Sequence, residues 1–344
     1  MDHAVYKRNS KASFHIVGVY VDDLIISGPC VGDIEKFKAE MKRKFSMSDL
    51  GLLSYYLGIE VKQGEKGITL SQGSYAVKIL ESAGMTNCNA CDTPMEPRLK
   101  LYKSKEGEAV EPTAYRSIIG SLRYIVNTRP DLAYSVGVVS RYMEAPGKDH
   151  WIAVKRILRY LKGTMGYGCK YEKGTGLKPI LPGYSDSDFA GDAEDRKSTT
   201  GVVYFLGSSL VTWASQKQKI VALSSCEAEY VAAAAAACQG VWLSRLIADV
   251  LGTKEVLVKL LMDNMSAIAL SRNPVHHDRS KHIDTKFHFI RECIEEGKVE
   301  VEHVGTADQL ADIFTKSLGR VRFVELRSAL GVVEVQQVRG RFVS

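Results

Sequence analysis

A chain of 344 residues, with 45% apolar and 25% charged residues, has the make-up of folded soluble protein and is long enough for two or three cores, which sets aside disorder and fibrous repeats. Its net charge of +6 permits nucleic acid as a partner without requiring it. Seven scattered cysteines, an N-terminus without an apolar signal core, and a longest apolar run (Val231 to Leu243) too short for a bilayer predict a reducing intracellular compartment, no secretion and no membrane partner.

The first predicted element is a hairpin. Ile16 to Val19 and Leu24 to Ile26 flank Tyr20-Val21-Asp22-Asp23, with Val17, Val19 and Val21 alternating into an acidic turn. Adjacent carboxylates between β-branched strands are costly unless the turn exposes them or a cation neutralises them. Val31 to Phe45 reads as a helix with Ile34, Phe37, Met41 and Phe45 on one face. Leu52 to Val61 reads as a hairpin supporting the first one, followed by a strand at 67–71 and a helix from Tyr75 to Ala83.

Residues 84–112 carry Pro94, Pro97 and Pro112 and read as a linker. Within it, Cys88-Asn89-Ala90-Cys91 is an isolated pair without the second pair that a zinc site needs. Helices follow at 115–126 and 132–142, separated by Thr128-Arg129-Pro130-Asp131. A third carries the stripe Trp151, Val154, Leu158 and Leu161. On its flank, Lys155, Arg159 and Lys162 either track a phosphate backbone or form a solvated face.

From Pro179 the pattern becomes three strands (181–189, 202–206, 210–215), a long helix (226–251), a strand (256–262) and a short helix (266–271). A helix at 285–296, a strand at 299–304 and a helix at 307–318 complete it. That order predicts a mixed α/β sheet, a meander extended by right-handed crossovers. Four acids fall where such a sheet gathers ligands: Asp186 in the first strand, Glu227 in the first helical turn, Asp263 ending a strand, and Asp312 in the last helix. Side by side they would require hard divalent cations such as Mg²⁺. Each also has a plainer reading: Ser224-Ser225-Cys226-Glu227 fits a capping box, Asp263-Asn264 fits turn chemistry, and Asp312 fits a solvated helix acid.

Tyr20-Val21-Asp22-Asp23 followed by Leu24-Ile25-Ile26-Ser27-Gly28 resembles the palm hairpin of copia-type LTR retrotransposon reverse transcriptases. Gly183-Tyr184-Ser185-Asp186-Ser187-Asp188 through Asp192 resembles the opening of the ribonuclease H domain of the same family. Arg196 to Gly201, Ser224 to Tyr230, Lys281-His282-Ile283-Asp284 and Ala307 to Lys316 continue the likeness, with Phe189 where the family often has tryptophan. The resemblance implies an α/β (α+β) chain: a truncated palm and start of thumb (1–92), a helical thumb or connection region (93–176), a ribonuclease H-like mixed-sheet domain (177–320) and a C-terminal tail (321–344).

It further implies that Asp186, Glu227, Asp263 and Asp312 form an acidic tetrad holding two Mg²⁺ ions, with Mn²⁺ as a substitute. Asp188, Glu229 and Asp308 lie close enough that spacing leaves them open. Arg196, Lys197, Lys217 and Lys219 would contact phosphates, and Tyr55 to Ile59 resembles the primer-gripping element. His276, His277, His282 and His288 receive no catalytic role, since hard Mg²⁺ does not select imidazole. The expected function is endonucleolytic cleavage of RNA in RNA–DNA hybrids. The alternative is a catalytically silent nucleic-acid-binding remnant or transposon relic. Asp22 and Asp23 read as a polymerase remnant without its upstream palm, so no autonomous DNA synthesis is expected, and the missing segments would belong to a longer polyprotein. The setting would be a cytoplasmic virus-like particle or the nucleus. A fragment from Leu177 onward is expected to be soluble and 1–170 to aggregate.

Overall fold

The computed structural model describes residues 4–9, 14–103, 110–174, 179–272, 283 and 285–335. β1 (Val5–Asn9), β2 (Phe14–Tyr20) and β3 (Asp23–Ser27) form a small antiparallel sheet. The β2–β3 hairpin turns at Val21-Asp22, with Tyr20 opposite Asp23. Val21 takes a φ of +52°, a left-handed conformation that a β-branched residue adopts only under strain. α1 (Val31–Lys44) lies against this sheet through Phe37 on His15 and through the Arg8–Glu40 ion pair, and buries none of its own residues.

The second hairpin does not extend that sheet. β4 (Tyr55–Tyr56), β5 (Ile59–Gly64) and β6 (Gly67–Ser71) instead join a five-stranded sheet with β7 (Tyr167–Glu172) and the last strand of the chain, Val332–Glu334. Its helices are α2 (Gly73–Ser82), α3 (Pro112–Ile125), α4 (Ala133–Val139) and α5 (Lys148–Gly163). α3 starts where Pro112 occupies the first turn and the Glu111 carboxylate accepts from the N–H groups of Thr113 and Ala114. Between α3 and α5, Arg129 is buried in a bidentate pair with Asp131. Tyr160 donates to that carboxylate at 2.6 Å, and Arg327 donates to the Tyr160 hydroxyl at 3.1 Å.

β8 (Leu181–Ser187), β9 (Thr199–Leu206) and β10 (Ser209–Lys217) form the predicted meander; β11 (Val258–Met262) and β12 (Val299–His303) add parallel strands, in the order β10-β9-β8-β11-β12. One face is covered by α6 (Ser225–Leu251), α7 (Met265–Arg272) and α8 (Phe289–Glu295). The alanine tract of α6 has a packing reason: Ala233, Ala236, Ala237 and Gly240 let the helix sit low on the sheet. A Cβ on Gly240 would lie 2.6 Å from both the Tyr204 hydroxyl and Val258 Cγ1. α6 is long and apolar enough to cross a bilayer by length and composition, but 61% of that window is buried in this core.

Two expectations are corrected. Residues 307–318 are not one helix but two short 3₁₀ segments, Thr306–Asp308 and Leu310–Phe314. Within 321–344, read as a tail, the chain forms α9 (Arg320–Ala329) and β13 (Val332–Glu334), which pairs antiparallel with β7. The opposite face of the β8–β12 sheet is not a solvated boundary. Val203, Phe205, Leu210, Ile313 and Phe314 share one continuous core with α2 to α5 and α9.

Candidate metal centre

On strand β8 Tyr184 and Asp186 share a face, Thr315 reaches Asp186 from just past the 3₁₀ segment 310–314, and Glu229 in the second turn of α6 and Asp263 just past β11 come to the same place. Oxygens of Asp186, Glu229 and Asp263 therefore lie within 4.8 Å of one another. Asp186 and Glu229 are buried and Asp263 is half-buried. Thr315 Oγ1 donates to Asp186 Oδ2. The Ser187 N–H donates to Glu229 Oε1 at 3.3 Å, whereas Glu229 Oε2 is buried with no hydrogen-bond partner. Asp312 flanks this trio from the 3₁₀ segment. Lys316 Nζ lies 2.7 Å from Asp312 Oδ1 and 3.8 Å from Asp186 Oδ2.

The electrostatics follow from the crowding. Burial, then the charges of Asp186 and Asp263, push the Glu229 carboxyl up to about 9. Asp263 is raised by burial and by Asp186. Burial lifts Asp312 to about 6 against the pull of Lys316, with Asp186 adding to the rise. For Lys316, burial opposes the charge, but Asp186 and Asp312 outweigh it and raise its pKa. Without a cation, Glu229 thus keeps its proton at neutral pH, and a bound cation would take that proton's place. An all-oxygen donor set with one orphaned carboxylate oxygen fits a hard divalent cation.

Glu227, expected in the acidic tetrad, is not brought to this centre. It occupies the third position after the cap Ser224, whose hydroxyl accepts from the Glu227 N–H, and its own carboxylate accepts from the Leu223 N–H at 2.8 Å. Two residues further, about 200° around the helix, Glu229 faces Asp186 instead. Asp188 stays outside the trio: its carboxylate accepts from the Thr199 N–H, and burial raises it to about 6. Asp308 is exposed. Asp22 and Asp23 are exposed on their turn, and among the described residues no third ligand joins them in a metal-sized group.

The basic candidates separate into two kinds. Lys217 pairs with Asp192 at 2.7 Å and Asp195 at 2.8 Å, and Lys197 pairs with Asp195, so both brace the 188–199 loop. Burial opposes the Asp192 charge, but the Lys217 contact and the N–H groups of Glu194 and Asp195 hold it at about 2. Arg196 and Lys219 are exposed near the same end of the sheet. On α5, Lys155 is exposed, Lys162 is half-exposed, and Arg159 donates to Asn89 O at 2.8 Å, tying down the preceding loop. His288 is hydrogen-bonded with the Tyr230 hydroxyl; His276, His277 and His282, with Lys281 and Asp284 of the quoted motif, lie outside the described residues. Cys88 and Cys91 are free thiols. A groove of about 660 Å³, lined by Arg123, Asn127, Arg141, Trp213 and Gln216, runs between α3, α4 and β10 and was not visible in the sequence pattern.

Comparison with known proteins places the chain in a family. Residues 1–97 match the reverse transcriptase (RNA-dependent DNA polymerase) family. The retrovirus-related Pol polyprotein from transposon TNT 1-94 of Nicotiana tabacum is 41% identical over 96% of this chain, and this chain spans 25% of that polyprotein. A Saccharomyces cerevisiae protein ascribed to transposon Ty5-1 is 33% identical over 67% of this chain and 76% of its own length. Among solved structures, the N-terminal RNase H domain of a Mycobacterium tuberculosis protein, fused to maltose-binding protein, aligns over 44% of this chain and 99% of that one, with 14% identity and a TM-score of 0.30. The chain belongs to the copia-type retrotransposon Pol family, and joins a segment matching the reverse transcriptase family to a five-stranded mixed sheet.

Proposed function

We propose that the β8–β12 domain is a metal-dependent endonuclease that cuts RNA in RNA–DNA hybrids, with Asp186, Glu229, Asp263 and Asp312 as its metal-holding acids. The observation that carries this reading is the convergence of Asp186, Glu229 and Asp263 around the unpartnered Glu229 Oε2. Two Mg²⁺ ions, with Mn²⁺ as a substitute, would activate water and steady the leaving oxygen in phosphodiester hydrolysis. The protein's share is positional. Thr315 fixes the Asp186 carboxylate, the Ser187 N–H fixes one oxygen of Glu229, and burial strengthens their attraction for a cation. Arg196 and Lys219, both exposed, would contact phosphate and position the duplex, while groove shape and 2′-hydroxyl contacts would select the hybrid. The nucleic acid is the proposed partner, and the polymerase-completing segments would lie in a longer polyprotein, within cytoplasmic particles or the nucleus.

The test is cleavage of a labelled RNA–DNA hybrid in Mg²⁺, beside a DNA duplex and the Asp263→Asn and Glu229→Gln variants. Hybrid-specific cutting lost in both variants supports the proposal. A folded protein that binds hybrid in a salt-sensitive way without cutting it is instead a binding remnant.

A further inference from the structure

We propose that Gln309 is a positioning residue of the carboxylate centre. Its buried amide ties strand β8 to the 3₁₀ segment 310–314, so that Asp186 stands where a cation can share it with Glu229 and Asp263. The inference rests on the metal-binding reading above and adds what holds the ligands in place. Gln309 is fully buried, and its side chain spans two stretches of backbone. Its Nε2 donates to the Ser185 carbonyl, next to Asp186, at 3.0 Å. Its Oε1 accepts from the Ala311 N–H, next to Asp312, at 3.1 Å. One partner is an acceptor and the other a donor, so the amide has a single orientation.

Both stretches need that tie. The parallel ladder between β8 and β11 ends at Tyr184, so Ser185 and Asp186 run on past it, paired among the described residues with β9 alone. A five-residue 3₁₀ segment makes too few internal hydrogen bonds to fix its own place. Its far end is held by Ser215 Oγ, which donates to Phe314 O at 2.6 Å, and by Thr315, which donates to Asp186 Oδ2. Its near end is held by Gln309. Without the amide, Thr315 would have to fix Asp186 from a segment free to shift at its start. An apolar side chain would fill the same space without the cost of burying an amide, so packing does not explain a glutamine here. The Ala307 to Lys316 motif thereby gains a reason for Gln309 as well as for its acid.

The experiment measures Mn²⁺ affinity by electron paramagnetic resonance on the full chain without nucleic acid, and separately the kcat and KM of hybrid cleavage, with circular dichroism confirming the fold. Gln309→Met keeps the volume and removes both hydrogen bonds. Thr128→Val is the control: Thr128 donates to Gln72 Oε1 at 2.9 Å, a likewise buried bond between the α3–α4 turn and the start of α2. Gln309→Met should bind Mn²⁺ about 10–100-fold more weakly and lose kcat to a similar extent, with hybrid KM unchanged. Thr128→Val should melt earlier yet keep wild-type affinity and kcat. Wild-type Mn²⁺ affinity in folded Gln309→Met, or an equal loss in Thr128→Val, would overturn the role of Gln309 and leave the metal centre standing. Wild type that binds no Mn²⁺ would overturn both. Wild type that binds Mn²⁺ but cuts no hybrid would overturn the nuclease reading alone, with the Mn²⁺ comparison still deciding Gln309. Should Gln309→Met fail to fold, Gln309→Asn, whose amide is one methylene too short to reach both partners, is held to the same loss.

Discussion

Gly201 and Thr315 meet so closely across the sheet that a Cβ on Gly201 would lie 2.7 Å from Thr315 Cγ2. The same Cβ would press on Ala311 O and Phe314 Cβ, so the 3₁₀ segment bearing Asp312 rests directly on a glycine strand position. Gly201→Ala should cost about 1–3 kcal/mol through overpacking. It should also lower hybrid cleavage well below what the lost stability explains, because Thr315 holds Asp186. Urea unfolding beside cleavage rates, taken far below the melting temperature, separates the two effects.

The two glutamates of α6 give opposite predictions. Glu229→Gln should abolish Mg²⁺-dependent cleavage and leave the metal-free fold about as stable at neutral pH, where the Glu229 carboxyl already keeps its proton. Glu227→Gln should retain cleavage and lose up to about 1 kcal/mol of capping stability. Assays that find Glu227 essential and Glu229 dispensable would reverse the assignment made from geometry.

Stability without ions should depend on pH in a defined direction. Glu229, Asp312 and Asp188 all ionise with more difficulty in the fold than in the unfolded chain, so the folded state binds more protons. Their contribution is full below about pH 4, where both states are protonated. It is lost as pH rises through about 6 for Asp312 and Asp188 and toward about 9 for Glu229. Melting temperatures in chelator should fall across that range, and excess Mg²⁺ should flatten the slope. A curve that rises from pH 6 to 9 in chelator contradicts the prediction.

The shared core sets domain behaviour. A fragment of residues 177–320 would expose Val203, Phe205, Leu210, Ile313 and Phe314, and should be insoluble or lack a cooperative transition. A fragment of residues 54–335 keeps that core whole and should melt as one unit. Size-exclusion profiles and melting curves of the two fragments give the answer.

Arg129 and Asp131 are a buried pair whose disruption leaves a charge unpaired. Asp131→Asn should destabilise the chain by about 3–5 kcal/mol, since Arg129 and the nearby Arg327 lose their shared anion. Chemical denaturation measures the loss directly.

Much of this was legible in the residues. Apolar strand-like runs in 181–189 and 202–215 located the meander, and the apolar length of 226–251 located α6, because long apolar runs report burial. That Asp186 and Asp263 come together follows from their places at neighbouring strand ends, which fix where a side chain emerges. Glu227 and Glu229 were not separable, since the motif offers two acids and only the helix phase toward β8 decides between them. The 3₁₀ segments escaped because their contacts with Gly201 and Ser215 lie far away in sequence. β13 escaped because three residues carry no periodicity; its place depends on the partner strand, β7.

That late strand has a consequence for how the chain comes into being. β4 to β6 are made early, β7 midway, and β13 only after the whole β8–β12 domain has left the ribosome. Until then β7 presents an open edge, and the helical core lacks Phe323, Leu326 and Val332. Native closure is thus a long-range event, slow by its topology, and a nascent chain halted before Val332 would carry a sticky, half-finished sheet for chaperones to guard.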